Sequence, residues 1–269
     1  RHRLRAVYLV HDLIPITHPQ FCREGEAERH ARRMATVLDS AAGVVANSAH
    51  TLDTLAEFAA DRGCAMPPAA VAWPGTPRLP RVPEPEAREP TFVILGTIEG
   101  RKNHALLLSL WRRMIAAGGS APVPRLVIVG RRGWEAEDVF AELDGGAFGD
   151  RVSEVGALDD RRLAEVLAGA RALLFPSFAE GYGIPLVEAL AAGVPVIASD
   201  LPVFREIGQG VPELVAPDDD CAWAAAIADY ARPDSPRRRA QLARLIDFDA
   251  PDWSDHFATL DRFLAVLAR

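Results

Sequence analysis

Two glutamates, Glu180 and Glu188, flank a glycine-rich turn in "FAEGYGIPLVEALAAGVPVIASD" (178–200), with seven residues between them. Gly181 and Gly183 let the backbone approach a ligand closely. Pro185 suits the first turn of a helix, where its missing N–H costs nothing, and Gly193 suits the position just past that helix's end. The N–H groups of Gly183, Ile184 and their neighbours then face out of a helix N-terminus, where aligned peptide dipoles favour an anion such as phosphate. Glu188, about one turn in, can accept hydrogen bonds from vicinal hydroxyls, as an acidic residue does with a ribose in dinucleotide sites. Glu180 lies ahead of the turn, on the other side of the anion. Taken alone, Glu188 reads as a surface residue favoured by the helix dipole. The ensemble points to a ligand with hydroxyls at each end and a diphosphate between them.

A second candidate segment is "LGTIEGRKNHALLLSL" (95–110), in which Gly96 and Thr97 close a strand and Arg101 and Lys102 open a helix. Two cations beside free helix N–H groups suit a diphosphate; position alone does not separate this from a solvated basic turn. The glycine spacing is not that of a P-loop, Asn103 stands where Ser or Thr would hold magnesium, and GxGxxG is absent. Asn103 is expected to cap the helix that follows. His11 and Asp12 also follow a strand, and on its own His11 reads as a locally hydrogen-bonded side chain. His18 and His30 show no metal-ligand spacing with it. The acidic "PDDD" (217–220) is expected to cap a helix rather than bind a metal.

These segments need strands to present them. "RAVYLV", "GVVAN" and "AAVAW" read as strands in the first 75 residues, followed by "TFVILG", "RLVIVG", "RVSEVG", "ARALLFP", "GVPVIAS" and "PELVAP". Amphipathic stretches at 103–117, 134–144, 159–168 and 184–192 lie between the later strands. Apolar strands alternating with helices indicate a parallel sheet covered on both faces. In such a sheet ligands bind beyond the carboxyl ends of the strands, where the candidate segments fall. The six prolines of 73–90 read as a semi-rigid linker. The expected division is 1–80, an 81–90 linker, a doubly wound unit over 91–245, and a C-terminal helix over 246–269. That helix places Phe257, Leu260, Phe263, Leu264 and Leu267 on one side.

The 269 residues carry a net charge of −7, which argues against a general nucleic-acid binder. No apolar run approaches the roughly 20 residues that span a bilayer, and the opening residues have too short an apolar stretch for a signal peptide. Cys22, Cys64 and Cys221 fit neither a disulfide framework nor a metal knuckle and read as buried free thiols in a reducing cytoplasm. The run "SPRRRAQLARL" reads as a solvated helix face.

With these residues in hand, the chain resembles a retaining nucleotide-sugar glycosyltransferase of the GT-B fold, in the E-x7-E group that includes bacterial mannosyltransferases. The resemblance is strongest in "LGTIEGRKN", "LVIVGRRGW" and the stretch from "VGALDDRR" to "VFREIG". It implies two Rossmann-like domains with the donor between them. Glu188 would then hold the nucleoside ribose and Glu180 would contact the transferred sugar. Main-chain groups of Gly181, Tyr182 and Gly183 would line that sugar, Arg101 and Lys102 would neutralise the diphosphate, and His11 would face the sugar from the N-terminal domain. Many relatives have arginine where Thr97 stands, so here the phosphate charge falls to Arg101 and Lys102. Relatives also begin with several further βα units. The chain is thus expected to hold the end of an acceptor-side domain and a whole donor domain, to bind nucleoside diphosphate, and to self-associate through an unpaired strand.

The activity so implied is transfer of a sugar, with GDP-mannose the donor expected on family frequency, to a glycan or lipid-linked acceptor with retained anomeric configuration. No metal and no separate cofactor are expected. The expected location is the cytoplasm, compatible with peripheral association at the inner face of the membrane. Two other readings compete: a nucleotide-sugar epimerase of the same fold, for which no acid/base pair is evident, and a non-catalytic sugar-nucleotide-binding subunit.

Overall fold

A computed structural model of the protein describes residues 5–83, 89–118 and 122–268. Residues 84–88 of the expected linker lie outside the described residues. Each strand expected from the sequence is present: β1 (Ala6–Val10), β2 (Ala41–Ala46), β3 (Ala69–Val71), β4 (Thr91–Leu95), β5 (Arg125–Val129), β6 (Val152–Glu154), β7 (Ala172–Phe175), β8 (Val196–Ser199) and β9 (Glu213–Val215). They form two all-parallel sheets, β1-β2-β3 and β6-β5-β4-β7-β8-β9.

Eleven α-helices accompany them among the described residues: α1 (Ile14–Thr17), α2 (Glu26–Ser40), α3 (Ala49–Asp61), α4 (His104–Ala117), α5 (Glu137–Asp144), α6 (Asp160–Ala168), α7 (Ile184–Ala191), α8 (Pro202–Ile207), α9 (Asp220–Ala231), α10 (Pro236–Leu245) and α11 (Trp253–Leu267). The central strands of the second sheet are buried on both faces. Phe92 and Ile94 of β4 face a core with Trp111 of α4 and Trp223 of α9, while Val93 faces Leu186 of α7 and Phe204 of α8. Period-two alternation between two apolar cores is why these strands read as continuous hydrophobic runs. In order of appearance, the second sheet runs third, second, first, fourth, fifth, sixth strand. The order reverses between β4 and β7, and the loops leaving their carboxyl ends diverge to open a crevice.

In the first sheet, Val10 and Val44 pack on Met34, Val37 and Leu38 of α2 and Leu55 of α3. The opposite face receives α11: a side chain on Gly43 would collide with Phe263 and Leu267. The C-terminal helix therefore returns to the first sheet. The return is tied by Thr76 N–H to the Pro251 carbonyl (2.7 Å) and by Arg78 to Asp252 (2.8 Å). Of its expected apolar side, Leu267 is buried whereas Phe257 and Leu264 are 56% and 46% exposed. The basic helix α10 is largely solvated as expected, but Leu245 packs against the second sheet's core and Gln241 turns inward. That side chain is buried and donates to the carbonyls of Val196 (2.7 Å) and Val211 (3.1 Å).

Candidate active site

The crevice between β4 and β7 brings together three of the predicted residues. After β4 the chain makes a short 3-10 turn, Gly100–Lys102, which aims Arg101 and Lys102 at the loop leaving β7. That loop carries Glu180. Lys102 Nζ lies 2.5 Å from Glu180 Oε1 and Arg101 Nη1 lies 2.9 Å from the same oxygen. Arg101 also pairs with Glu99 (2.6 Å) and donates to the Ala179 carbonyl (2.6 Å). Ser177 Oγ donates to Glu180 Oε1 (2.8 Å). The Lys102 ammonium sits 4.9 Å from the centre of the Phe175 ring, a favourable cation–π distance. Its stem passes over Gly96, 3.5 Å from where a β-carbon there would sit.

Burial pushes the Glu180 carboxyl up. Lys102 and Arg101, with the hydrogen bonds from Lys102 and Ser177, outweigh it and hold the group below its ordinary range. Burial likewise pushes Arg101 down, but Glu180 and Glu99 more than restore it. Glu180 is therefore an ionised, oriented carboxylate. The sequence set Glu180 across the phosphates from Glu188; the structure adds that it sits directly on the two cations.

The turn after Glu180 opens α7. Gly183 is its N-cap residue at φ 110°, a conformation that favours glycine, and a side chain there would meet Phe204 at 2.7 Å. The first α7 amide with a backbone acceptor is that of Leu186, bonded to the Gly183 carbonyl (2.9 Å). The N–H groups of Gly183 and Ile184 precede it at the positive end of the helix. Pro185 lies in the first turn, and Gly193 follows the helix at φ 80°. The Tyr182 side chain turns into the core, where its hydroxyl donates to the Pro74 carbonyl (3.3 Å). Burial, then Glu206, pushes the phenol well up. Only its main chain is left to line a ligand.

Glu188, one turn into α7, faces a different space. It lines a cavity of about 550 Å³ between α6, the end of α7 and the segment 76–82. Its carboxylate has no hydrogen-bond or ion-pair partner among the described residues. Burial, then Asp160, pushes it up to about 7. A half-buried acceptor without a donor is an arrangement that ligand hydroxyls would satisfy.

The placement of the other predicted residues is mixed. The His11 side chain is exposed; it is the His11 carbonyl that approaches Gly181, 2.5 Å from where a β-carbon on Gly181 would sit. The Thr97 methyl packs toward Gly133. Asn103 does not cap α4 with its side chain: it adopts φ 56°, which asparagine tolerates, and donates instead to the Pro217 carbonyl (3.2 Å). Asp219 of the acidic run caps α9, accepting from Ala222 N–H (2.9 Å), as expected. His104 is buried with both ring nitrogens lacking a protein partner, and burial, then Lys102, lowers it to about 4.

Sequence reasoning missed Glu99 and Ser177, the supports of Arg101 and Glu180. Glu99 sits two residues before Arg101, and Ser177 three before Glu180; proximity in sequence was the available signal. It also missed Ser48, Thr51 and Glu206, which join the two sheets' units from sites far apart in the chain. Among the described residues no cluster of His, Cys, Asp or Glu has metal-binding geometry, and no helix is long and apolar enough to cross a membrane. The three cysteines are free, but not buried as expected: Cys221 is exposed and Cys22 and Cys64 are half-buried.

Known proteins resemble this chain in sequence and in fold. Serotype-specific mannosyltransferase WbdA of Escherichia coli is 30% identical over 226 residues, covering 76% of this chain and 27% of WbdA. O-antigen chain mannosyltransferase B of Escherichia coli is 27% identical over 264 residues, covering 94% of this chain and 68% of that protein. The chain thus spans about a quarter of the length of WbdA and about two thirds of that of the second relative. The crystal structure of Anabaena HepE in complex with UDP and glucose superposes with a TM-score of 0.72 at 15% identity, covering 98% of this chain and 71% of HepE. That is a likeness of fold, and the fold is GT-B. Residues 89–232, just over half of the chain, match the family described as glycosyl transferases group 1, and the chain belongs to that family.

Proposed function

We propose that this chain transfers mannose from a nucleoside-diphosphate sugar, GDP-mannose, to a glycan or lipid-linked acceptor, with retention and without a metal. One observation carries the reading: the ionised Glu180 is held on Lys102 and Arg101 at the sheet's switch point, immediately before the N-terminus of α7. The relatives named as mannosyltransferases support the choice of sugar, and the UDP bound by HepE supports a nucleotide donor.

The proposed donor lays its diphosphate between the two cations and the α7 N-terminus, its ribose on Glu188 and its sugar beside Glu180. The bond from the anomeric carbon to the diphosphate oxygen breaks, and the oxygen keeps the electron pair. Arg101, Lys102 and the helix dipole stabilise that charge as it develops, an effect worth several kcal/mol in a water-poor site. The acceptor oxygen bonds to the same face of the anomeric carbon, and its proton goes to the departing phosphate. Glu180 orients the sugar and stabilises the positive centre. The charge of the leaving group is met by side chains and a helix, so this reading needs no metal.

A thermal-shift screen of nucleotide sugars tests the donor, since a ligand at 100 times its Kd stabilises by about 2.7 kcal/mol. A shift with another nucleotide sugar and none with GDP-mannose rejects mannose. The anomeric coupling constant of the product decides retention, and loss of transfer in chelator rejects metal independence.

A further inference from the structure

The turn carrying Glu180 is gripped from outside its own sheet. Ser48, the N-cap of α3, accepts from Thr51 N–H (3.0 Å) and donates to the Gly181 carbonyl (2.9 Å), 133 residues away. Thr51 Oγ1 lies 3.2 Å from that same carbonyl and 3.2 Å from the carbonyl of His11. Ser48 Oγ also lies 3.0 Å from Thr51 Oγ1; each hydroxyl has one proton, so two protons are shared among the Gly181 carbonyl, the His11 carbonyl and the contact between the two hydroxyls. Both side chains are buried. On the near side of Glu180, Phe21 stacks on Phe178 with centroids 5.2 Å apart and an interplanar angle of 9°. The same turn of α3 is anchored by Glu206 of α8. Its carboxylate accepts from the N–H groups of Ala49 (2.7 Å) and His50 (3.1 Å) and from the indole of Trp73 (2.7 Å). A carboxylate on a helix N-terminus is stabilised by both hydrogen bonds and dipole.

A helix N-cap needs only its own amides. Here the cap also holds a carbonyl adjacent to the Glu180 carboxylate, and a second carboxylate keeps the cap docked. We propose that the first turn of α3 is a latch between the two units, with Ser48, Thr51 and Glu206 as positioning residues. On this reading, the placement of Glu180 against Arg101 and Lys102 depends on contact across the crevice. Only the kinetic consequence rests on the glycosyltransferase function proposed above.

Two variants test the latch by hydrogen exchange resolved over residues 178–184. Thr51→Val keeps the shape and helix but removes the proton; Glu206→Ala removes the anchor. Each should speed exchange there by about five- to tenfold, the loss of one or two hydrogen bonds. Thr54→Val, whose hydroxyl bonds only the His50 carbonyl within α3 (2.8 Å), should leave that segment as in the parent. Glu206→Gln keeps the acceptor for Ala49 and Trp73 and should restore most of the protection. In the native enzyme, Thr51→Val should lower kcat by about tenfold with donor affinity within about twofold. Unchanged exchange in both Thr51→Val and Glu206→Ala overturns the latch. Faster exchange with unchanged kcat overturns the positioning role. If the parent transfers no sugar from any donor, the functional reading fails, and exchange alone decides the latch.

Discussion

Glu188 offers a test in which affinity and stability should move in opposite directions. Its carboxyl is half-buried, lacks a donor among the described residues and is raised to about 7 by burial and then by Asp160. At pH 6 it is roughly one-tenth ionised and at pH 8 roughly nine-tenths. If ribose hydroxyls need the ionised acceptor, the Kd of a nucleotide sugar should fall roughly tenfold between those pH values, about 1.4 kcal/mol. A nucleotide sugar is the right probe, because a terminal phosphate would itself titrate near pH 6. Glu188→Gln exchanges charge-assisted bonds of about 1.5–3 kcal/mol for neutral ones of about 0.5–1.5. Its binding should be weaker roughly five- to tenfold at pH 8 and flat with pH.

The stability of the ligand-free chain has the other sign. The folded-state pKa is raised from 4.5, so between about 4.5 and 7 the folded chain holds a proton that the unfolded chain has released. Stability therefore falls as pH rises through that window. Solvent reaches this group, so the effect is discounted to roughly 1–2 kcal/mol. Glu188→Gln should be more stable than the parent by about that amount above pH 7. Calorimetric titration at pH 6, 7 and 8 and denaturant melts of the free chain supply both numbers. A parent whose affinity is flat with pH, or a variant that binds as tightly at pH 8, refutes the ribose role.

Three further outcomes follow from the site. Glu180→Ala leaves Arg101 without one of its carboxylates and Lys102 without the only one it has among the described residues, and should destabilise by about 3–5 kcal/mol in urea melts. In the native enzyme its turnover should fall more than its donor affinity, and equal activity would remove Glu180 from the chemistry. The same carboxyl is held below 4.5 in the folded chain, so its contribution is present above that value and is lost as pH falls through the folded pKa. Acid titration should therefore destabilise the parent more steeply than Glu180→Gln, and parallel curves would contradict the pairing. Gly183→Ala meets both a φ of 110° and Phe204 at 2.7 Å. It should cost about 1–3 kcal/mol or more, and an unchanged Tm would show that α7 starts differently.

The β elements and α7 were legible because their signals are local. β4, β5, β7 and β8 are largely apolar runs between turn residues, and α7 carries proline at its start and glycine just past its end. Glu180, Arg101 and Lys102 were legible as candidates because they follow strand ends, and Glu188 because it stands one turn into the helix that the glycine-rich turn opens. What the sequence did not disclose was distance. Arg101 and Glu180 are 79 positions apart, and only the reversal of strand order between β4 and β7 puts them at 2.9 Å. Ser48 and Glu206 were invisible for the same reason. "NSAHT" marks a helix start, but nothing in it says that the cap hydroxyl holds a carbonyl of another sheet's loop. The return of α11 to Gly43 is likewise a packing choice: a bare glycine in a strand leaves room for Phe263 without naming it.

The pairing of Glu180 with both cations changes how a diphosphate would enter. Glu99, Arg101, Lys102 and Glu180 together carry no net formal charge, so the site does not attract an anion by excess positive charge. It has spare donors instead. Lys102 has three N–H bonds and uses one on Glu180; Arg101 has five and spends them on Glu180, Glu99 and the Ala179 carbonyl without exhausting the fork. A diphosphate can therefore join the cluster as a further acceptor while Glu180 stays in place, with the α7 N–H groups completing its coordination. Carboxylate, cations and helix end are oriented by contacts within the protein, so on the proposed function little reorganisation would be left when a leaving group takes its charge. Holding that orientation is what the contacts of Ser48 and Thr51 with the Gly181 carbonyl would do. A carboxylate held at 2.5 Å from an ammonium is useful only if its backbone cannot drift, and Gly181, gripped by Ser48 and Thr51, is where drift would begin.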